Sequence, residues 1–272
     1  MATCIWTNGS GDKSYSTAAN WSTGTVPTTS DDVYFTSDYN DDVTGGLNQS
    51  GTTIGKFVVD GYTGKLGSKS GYLQIDPGSD VTFSGTGVCY LDLGNANVTV
   101  TVNQTTGASA GDAGLYLLDS NLSTLSVTSG LVGVAINAGE TSTVGTIKVT
   151  GGTVLLGSVT ATTVTMTGGS VETSSSVTTL NIYAGTYTTS DAAAITTLNG
   201  DGGTVVHSAS GTITTANVRG VYLDLSQSMV ARTITTLAPS GGGSIQYDPN
   251  FITISARSAL TKPVTESWTD AF

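Results

Sequence analysis

His207 is the one histidine of the chain, so imidazole chemistry has a single place to occur. A Ser-His-Asp unit needs an imidazole that takes a proton from a serine and is held by a carboxylate. No nucleophile-elbow phrase is present. His207 ends the strand-like run Thr204–His207 and shares a face with Val205 by alternation. It is read as structural. Paired carboxylates would serve glycoside hydrolysis. Glu140, Glu172, Asp191 and Asp201 are scattered, fall at turns and never recur at one position of adjacent repeats. Turn solvation is the reading.

The stretch Asp38-Tyr39-Asn40-Asp41-Asp42 offers oxygen ligands to Ca²⁺ but lacks the Gly and distal Glu of an EF-hand loop. It reads as a solvated acidic loop, with a cation left open because like charges so close repel. Gly241–Gly243 lacks the Gly-Lys-Ser/Thr ending of a phosphate loop. Tyr116, Tyr183, Tyr187 and Tyr222 could stack on sugars but read first as strand residues. Cys4 and Cys89 match no metal or redox spacing, and Cys89 reads as a small buried hydrophobe. No catalytic residue, metal or cofactor is expected, and the chain reads as non-enzymatic. The residues expected to make terminal packing and partner contacts are Trp6, Trp21, Trp268 and Phe272, because aromatics anchor interfaces.

These residues must be positioned by a repetitive framework. A nine-residue phrase returns as TIKVTGGTV (Thr146–Val154), TVTMTGGSV (Thr163–Val171), TLNIYAGTY (Thr179–Tyr187) and TLNGDGGTV (Thr197–Val205). The starts lie 17, 16 and 18 residues apart. A looser copy, TLSVTSGLV, begins at Thr124. Alternating β-formers around a Gly turn at a fixed short period mark a β-solenoid. Ile147 and Val149 are expected to face inward and Lys148 outward, with Gly151–Gly152 supplying a bend. Val164, Met166, Leu180, Ile182 and Leu198 are the inward equivalents, and Gly200 replaces the second apolar residue of its repeat. Thr and Ser would form outer ladders.

Composition agrees. Of 272 residues, 38% are apolar and 11% charged, against about 25% charged in typical domains. Abundant Val, Ile and Thr argue for strands and against disorder. The net charge of −11, from 20 acidic and 9 basic residues, argues against nucleic acid and anionic membranes as partners. No run approaches the length of a transmembrane helix. The opening MATCIWTNGSGDKSY has no basic start followed by an apolar stretch. The expectation is a chain made in a cytoplasm and not exported by the usual route.

Three parts are expected: residues 1–46 as an N-terminal cap or docking segment, 47–225 as the solenoid, and 226–272 as C-terminal strands and tail. Asn103–Gly114 reads as a loop or lateral insertion, and Pro239–Ser244 as a flexible break. The fold class is all-β, a parallel β-solenoid of about 17 residues per turn. About ten to twelve rungs at the strand spacing would span near 50 Å. A sandwich-like first third is the structural alternative.

Residues Ile5–Phe35 resemble the N-terminal module of bacterial β-helical surface proteins, including autotransporter passengers. The resemblance rests on Trp6, Thr7, Gly9, Ala18, Ala19, Asn20, Trp21, Ser22, Val26, Pro27, Asp32, Val33 and Phe35. It continues less specifically through Thr52–Gly67. It implies a β-helix; a signal peptide and a C-terminal membrane barrel, which the family's export route uses, are not seen in this sequence. As a class, an acidic signal-less β-helix also looks like tailed-phage virion proteins, which are often trimeric. The expected function is a capsid decoration (cement) or head-fibre subunit: a homotrimer on the virion, contacting the major capsid protein. The alternatives are a surface adhesin of the passenger type on a bacterial cell, and a tailspike-like polysaccharide-binding or -degrading β-helix.

Overall fold

The structure is a computed structural model that describes residues 1–94, 97–104, 114–258 and the backbone of 265–268. The chain is all-β, with parallel strands stacked as a β-solenoid of about 10 turns. Helix is confined, among the described residues, to a 3-10 turn at Ala18–Asn20. No described helix is long and apolar enough to cross a membrane.

Two compact units divide the chain, Met1–Val144 and Gly145–Phe272. In the first, Thr3–Ile5 pairs in parallel with Asp32–Thr36, which pairs with Phe57–Tyr62, then Val81–Gly85, Val98–Gln104 and Asn121–Ser129. This register stacks Cys4, Val33, Phe57, Val81, Val100 and Leu125 into one inward column, all buried. A second wall stacks Leu73, Leu91, Leu117 and Val134, also fully buried. Each such side chain contributes about 1.5–3 kcal/mol by leaving water. The columns therefore outweigh any single hydrogen bond of the outer face.

In the second unit Ala161, Val177, Ile195, Ile213 and Ile234 form one inward column. Val164, Leu180, Leu198, Ala216 and Leu237 form another. Ile147, Val149, Met166 and Ile182 are fully buried and Lys148 is exposed, as the alternation requires. The outer ladders are present too. Thr163, Thr179, Thr197, Thr215 and Thr236 stand in register. Beside them Asn217 donates to Asn199 Oδ1 at 2.8 Å, and Asn199 to Asn181 Oδ1 at 2.9 Å.

The glycine phrase has a steric cause. Gly152, Gly169, Gly185 and Gly203 recur at the bend with φ between 70 and 90°. A Cβ on Gly169, Gly185 or Gly203 would meet the carbonyl oxygen of the preceding bend glycine at 2.5–2.7 Å. Gly200 is different. A Cβ there would lie 2.2 Å from Val221 Cγ1, so Val221 fills the volume that an apolar residue occupies in the earlier repeats.

Parallel pairing is present on both sides of the boundaries expected at 46 and 225. Parallel stacking already includes Thr3–Ile5, and the entry aromatics Trp6, Tyr15, Trp21 and Phe35 are buried. Beyond 225, Arg232–Pro239 pairs with Ile213–Val218, and Ile252–Arg257 with Arg232–Pro239. Ile234, Leu237, Ile245 and Ile252 keep the inward alternation after the glycine phrase has gone. Pro239–Ser244, expected as a flexible break, joins two strands through a turn. Pro239 ends a strand, Gly241 and Gly242 take φ of 70 and 106°, and Ser244 begins the next strand. Of the expected insertion, Asn103 and Gln104 belong to the strand Val98–Gln104. Its residues 105–113 lie outside the described ones.

Candidate functional site

Trp6 and Trp21 form the centre of an aromatic cluster. They are 0% and 2% exposed, with ring centroids 5.4 Å apart edge to face. Phe35 lies 5.9 Å from both, and Tyr15 is 4.6 Å from Trp21. Each indole N–H donates to a backbone carbonyl: Trp6 to Asp41 at 3.1 Å, Trp21 to Tyr15 at 2.8 Å. Both rings are thus spent within the unit and present no face to a partner. Of the terminal packing and partner contact expected of them, the structure shows packing, with the loops around them closed over the indoles.

Those loops are ordered by Asn20, fully buried. Its Oδ1 accepts from Ser10 N and Oγ, and its Nδ2 donates to Asp12 and to the Ser14 carbonyl. Donated bonds from Thr17, Ser14 and Asn20 hold the Asp12 carboxyl well below the usual range. In the acidic stretch, Asn40 accepts from Thr63 N and Asp42 from Lys65 N, while Lys13 lies 3.8 Å from Asp42. These side chains clasp the next turn. Among the described residues no three His, Cys, Asp or Glu side chains are placed to hold a metal ion.

Of the other contact candidates, Trp268 ends the strand Thr265–Trp268, whose backbone pairs in parallel with Ser244–Tyr247 of the same chain. Phe272 lies outside the described residues. The large apolar side chains that are exposed among the described residues are Met1, Tyr39, Tyr183, Met229 and Val230. The sequence reading passed over the last two, although the repeat length signals them: equivalent residues are 18 apart from Ile195 to Ile213 and 21 apart from Ile213 to Ile234.

His207 is a structural latch. Its Nε2 sits 2.8 Å from the Gly211 carbonyl, which only accepts, so Nε2 carries the proton. Nδ1 then accepts from Thr189 Oγ1 at 2.8 Å. Burial, and after it the charge of Arg232, push the imidazole down to about 4, against the raising effect of the Gly211 bond. Glu172 lies on the strand Val159–Thr173 and not at a turn. Asp191 is exposed at a turn, and Asp201 takes a bidentate ion pair from Arg219 that lowers its pKa.

A polar recess lies in the first unit, a cavity of about 420 Å³ lined by Leu47, Asn48, Lys69, Tyr72, Gln74, Leu118 and Glu140 among others. Glu140 is nearly buried. It accepts from Tyr72 Oη at 2.8 Å, Asn137 Nδ2 at 2.7 Å and Asn137 N at 2.9 Å. Burial, reinforced by Glu140, raises the Tyr72 phenol. Alongside, Tyr72 meets Tyr90 edge-on at 5.6 Å, and Tyr90 stacks on Tyr116 at 4.5 Å. These rings spend faces on one another, and Tyr116, read as a strand residue, lies on the strand Leu115–Leu118. Burial also raises the Asp92 carboxyl, with Asp119 and Asp76 adding in the same direction. The recess offers amide groups, one ammonium and one carboxylate, the donor and acceptor set that suits a small polar ligand. No family model, no curated protein and no solved structure matches the chain.

Proposed function

We propose that the chain is a non-enzymatic structural protein of a phage virion, a capsid decoration (cement) or head-fibre subunit that acts as a homotrimer against the major capsid protein. The observation that carries this reading is the in-register ladder Thr163, Thr179, Thr197, Thr215 and Thr236. Such ladders stiffen a solenoid along its axis and repeat one surface many times. The buried titratable groups support the same reading, since His207 is bonded to Thr189 of the adjacent turn and to Gly211, and Glu140 to Tyr72 and Asn137. The proposed role is mechanical: a stiff element docked on a lattice.

The test is light scattering of the purified protein followed by co-sedimentation with empty capsid shells. Three chain masses in solution and recovery with shells are expected. A monomer that ignores shells would overturn the reading.

A second reading, a bacterial surface adhesin of the passenger type, draws on the Trp6, Trp21 and Phe35 cluster, made by residues that carry the N-terminal resemblance. The Tyr72–Glu140 recess would be its ligand contact. A glycan panel distinguishes it: binding lost in Glu140→Gln favours the adhesin, and a flat response removes it.

A further inference from the structure

The turn that breaks the repeat length is built at some cost. The strands Tyr222–Asp224 and Arg232–Pro239 are joined by Leu225 to Ala231. Register places added residues here: Val206 and Asp224 are 18 apart, Ile213 and Ile234 21 apart.

Buried charges clamp both ends of this loop. Asp224 and Arg232 are each 5% exposed. Asp224 accepts from Ser226 N at 2.8 Å, Ser226 Oγ at 2.7 Å and Gln227 Nε2 at 2.7 Å. Arg232 Nη2 donates to the carbonyls of Leu225 and, at 3.3 Å, Ser228; Nη1 reaches the Val230 carbonyl at 3.4 Å. Leu225 N is fixed in turn by the Gln246 carbonyl at 2.8 Å. Burying a guanidinium and a carboxylate is unfavourable unless hydrogen bonds offset the lost hydration. A simple connector needs neither. What the clamp holds out is an apolar tip, Met229 at 66% and Val230 at 45% exposure. Fixing such a tip in advance removes the ordering cost of docking it.

We propose that this loop is the contact through which copies of this chain associate. The proposal rests on the homo-oligomer reading above and names its interface. Charge selects the occupant. Two copies at −11 each repel, so they approach where the surface is neutral. Ser226 to Ala231 contains no charged residue. A symmetric oligomer brings identical residues together at its axis, which an uncharged apolar tip tolerates and a charged one does not. A stable interface buries more than about 1,000 Å², beyond what two side chains supply. The strand after the loop provides more: Thr235 ends a column of exposed threonines with Thr178, Thr196 and Thr214 on the preceding turns.

The experiment is sedimentation equilibrium of the full chain and of the double variant Met229→Asp/Val230→Asp, with melting curves for both. The expected result is an oligomer that falls to monomer in the variant at unchanged melting temperature. In parallel, Met229→Cys is oxidised and run on a non-reducing gel. Cys4 and Cys89 are buried, so the new thiol is the one available, and disulfide-linked dimers are expected. A wild-type oligomer that survives the double substitution and gives no cross-link overturns the loop as contact and leaves the homo-oligomer intact. A wild-type monomer at all concentrations overturns both. If the aspartates prevent folding, the cross-link alone decides.

Discussion

Thr189 and His207 occupy one position on successive turns, and the Thr189 hydroxyl donates to His207 Nδ1 at 2.8 Å. With Nε2 bound to the Gly211 carbonyl, the imidazole is complete as a neutral ring and has no site for a second proton.

The consequence is a pH dependence of known sign. The unfolded imidazole titrates near its ordinary value of about 6.5; the folded one is pushed down to about 4. Protons therefore bind the unfolded chain first. The contribution is full above about pH 6.5, declines below it and is lost by about pH 4, on the order of 3 kcal/mol in all. NMR of the single imidazole should give a midpoint near 4. His207→Gln should flatten the fall of the urea midpoint across this window. A ring that titrates at its ordinary value in the folded protein would remove the latch.

Gly200→Ala should destabilise by about 1–3 kcal/mol, because the new methyl enters the space held by Val221. Combining it with Val221→Ala should cost less than the sum of the two single changes. Thermal melts of the four proteins in the cycle provide the check. Strict additivity would mean that the two residues do not share the cavity.

Trp6→Ala should cost about 3–5 kcal/mol, the range for emptying a buried aromatic site, and should weaken the near-ultraviolet circular dichroism. A variant that melts as the wild type but assembles differently would return Trp6 to an interface role.

Asn199 both donates to Asn181 and accepts from Asn217. Asn199→Ala should therefore lower stability by about 1–3 kcal/mol. The urea midpoint should fall further than for Thr196→Ala at the exposed neighbouring position. Equal shifts would show that the ladder is ornamental.

Cys4 and Cys89 should resist a thiol reagent at pH 8. Both are buried, burial raises both thiols, and Cys89 is pushed up to about 12. Two thiols should react after addition of denaturant. Rapid labelling of the folded protein would contradict the packing.

Much of this molecule follows from the order of its residues. Alternation with a period of two dictated which of Ile147, Lys148 and Val149 face inward, and that holds whatever surrounds them. Parallel sheets buried on both faces lose this alternation. Here the outer face is wet, so the pattern stays visible, and the short period of the glycine phrase told parallel stacking from hairpins. The bend glycines were legible because their constraint is local: positive φ and a carbonyl one turn away. What the sequence could not determine is how space is shared between turns. Trp6 and Trp21 look the same on paper whether they dock a partner or fill a core, and the closing loops decided for the core. Val221 filling the place beside Gly200 joins residues on different turns, as do Tyr72 and Glu140, 68 positions apart. Arginine is rarely buried unless it is paired, and nothing in the sequence marks Arg232 as an exception. Only the folded backbone, which turns the carbonyls of Leu225, Ser228 and Val230 toward one point, makes it a buried clamp.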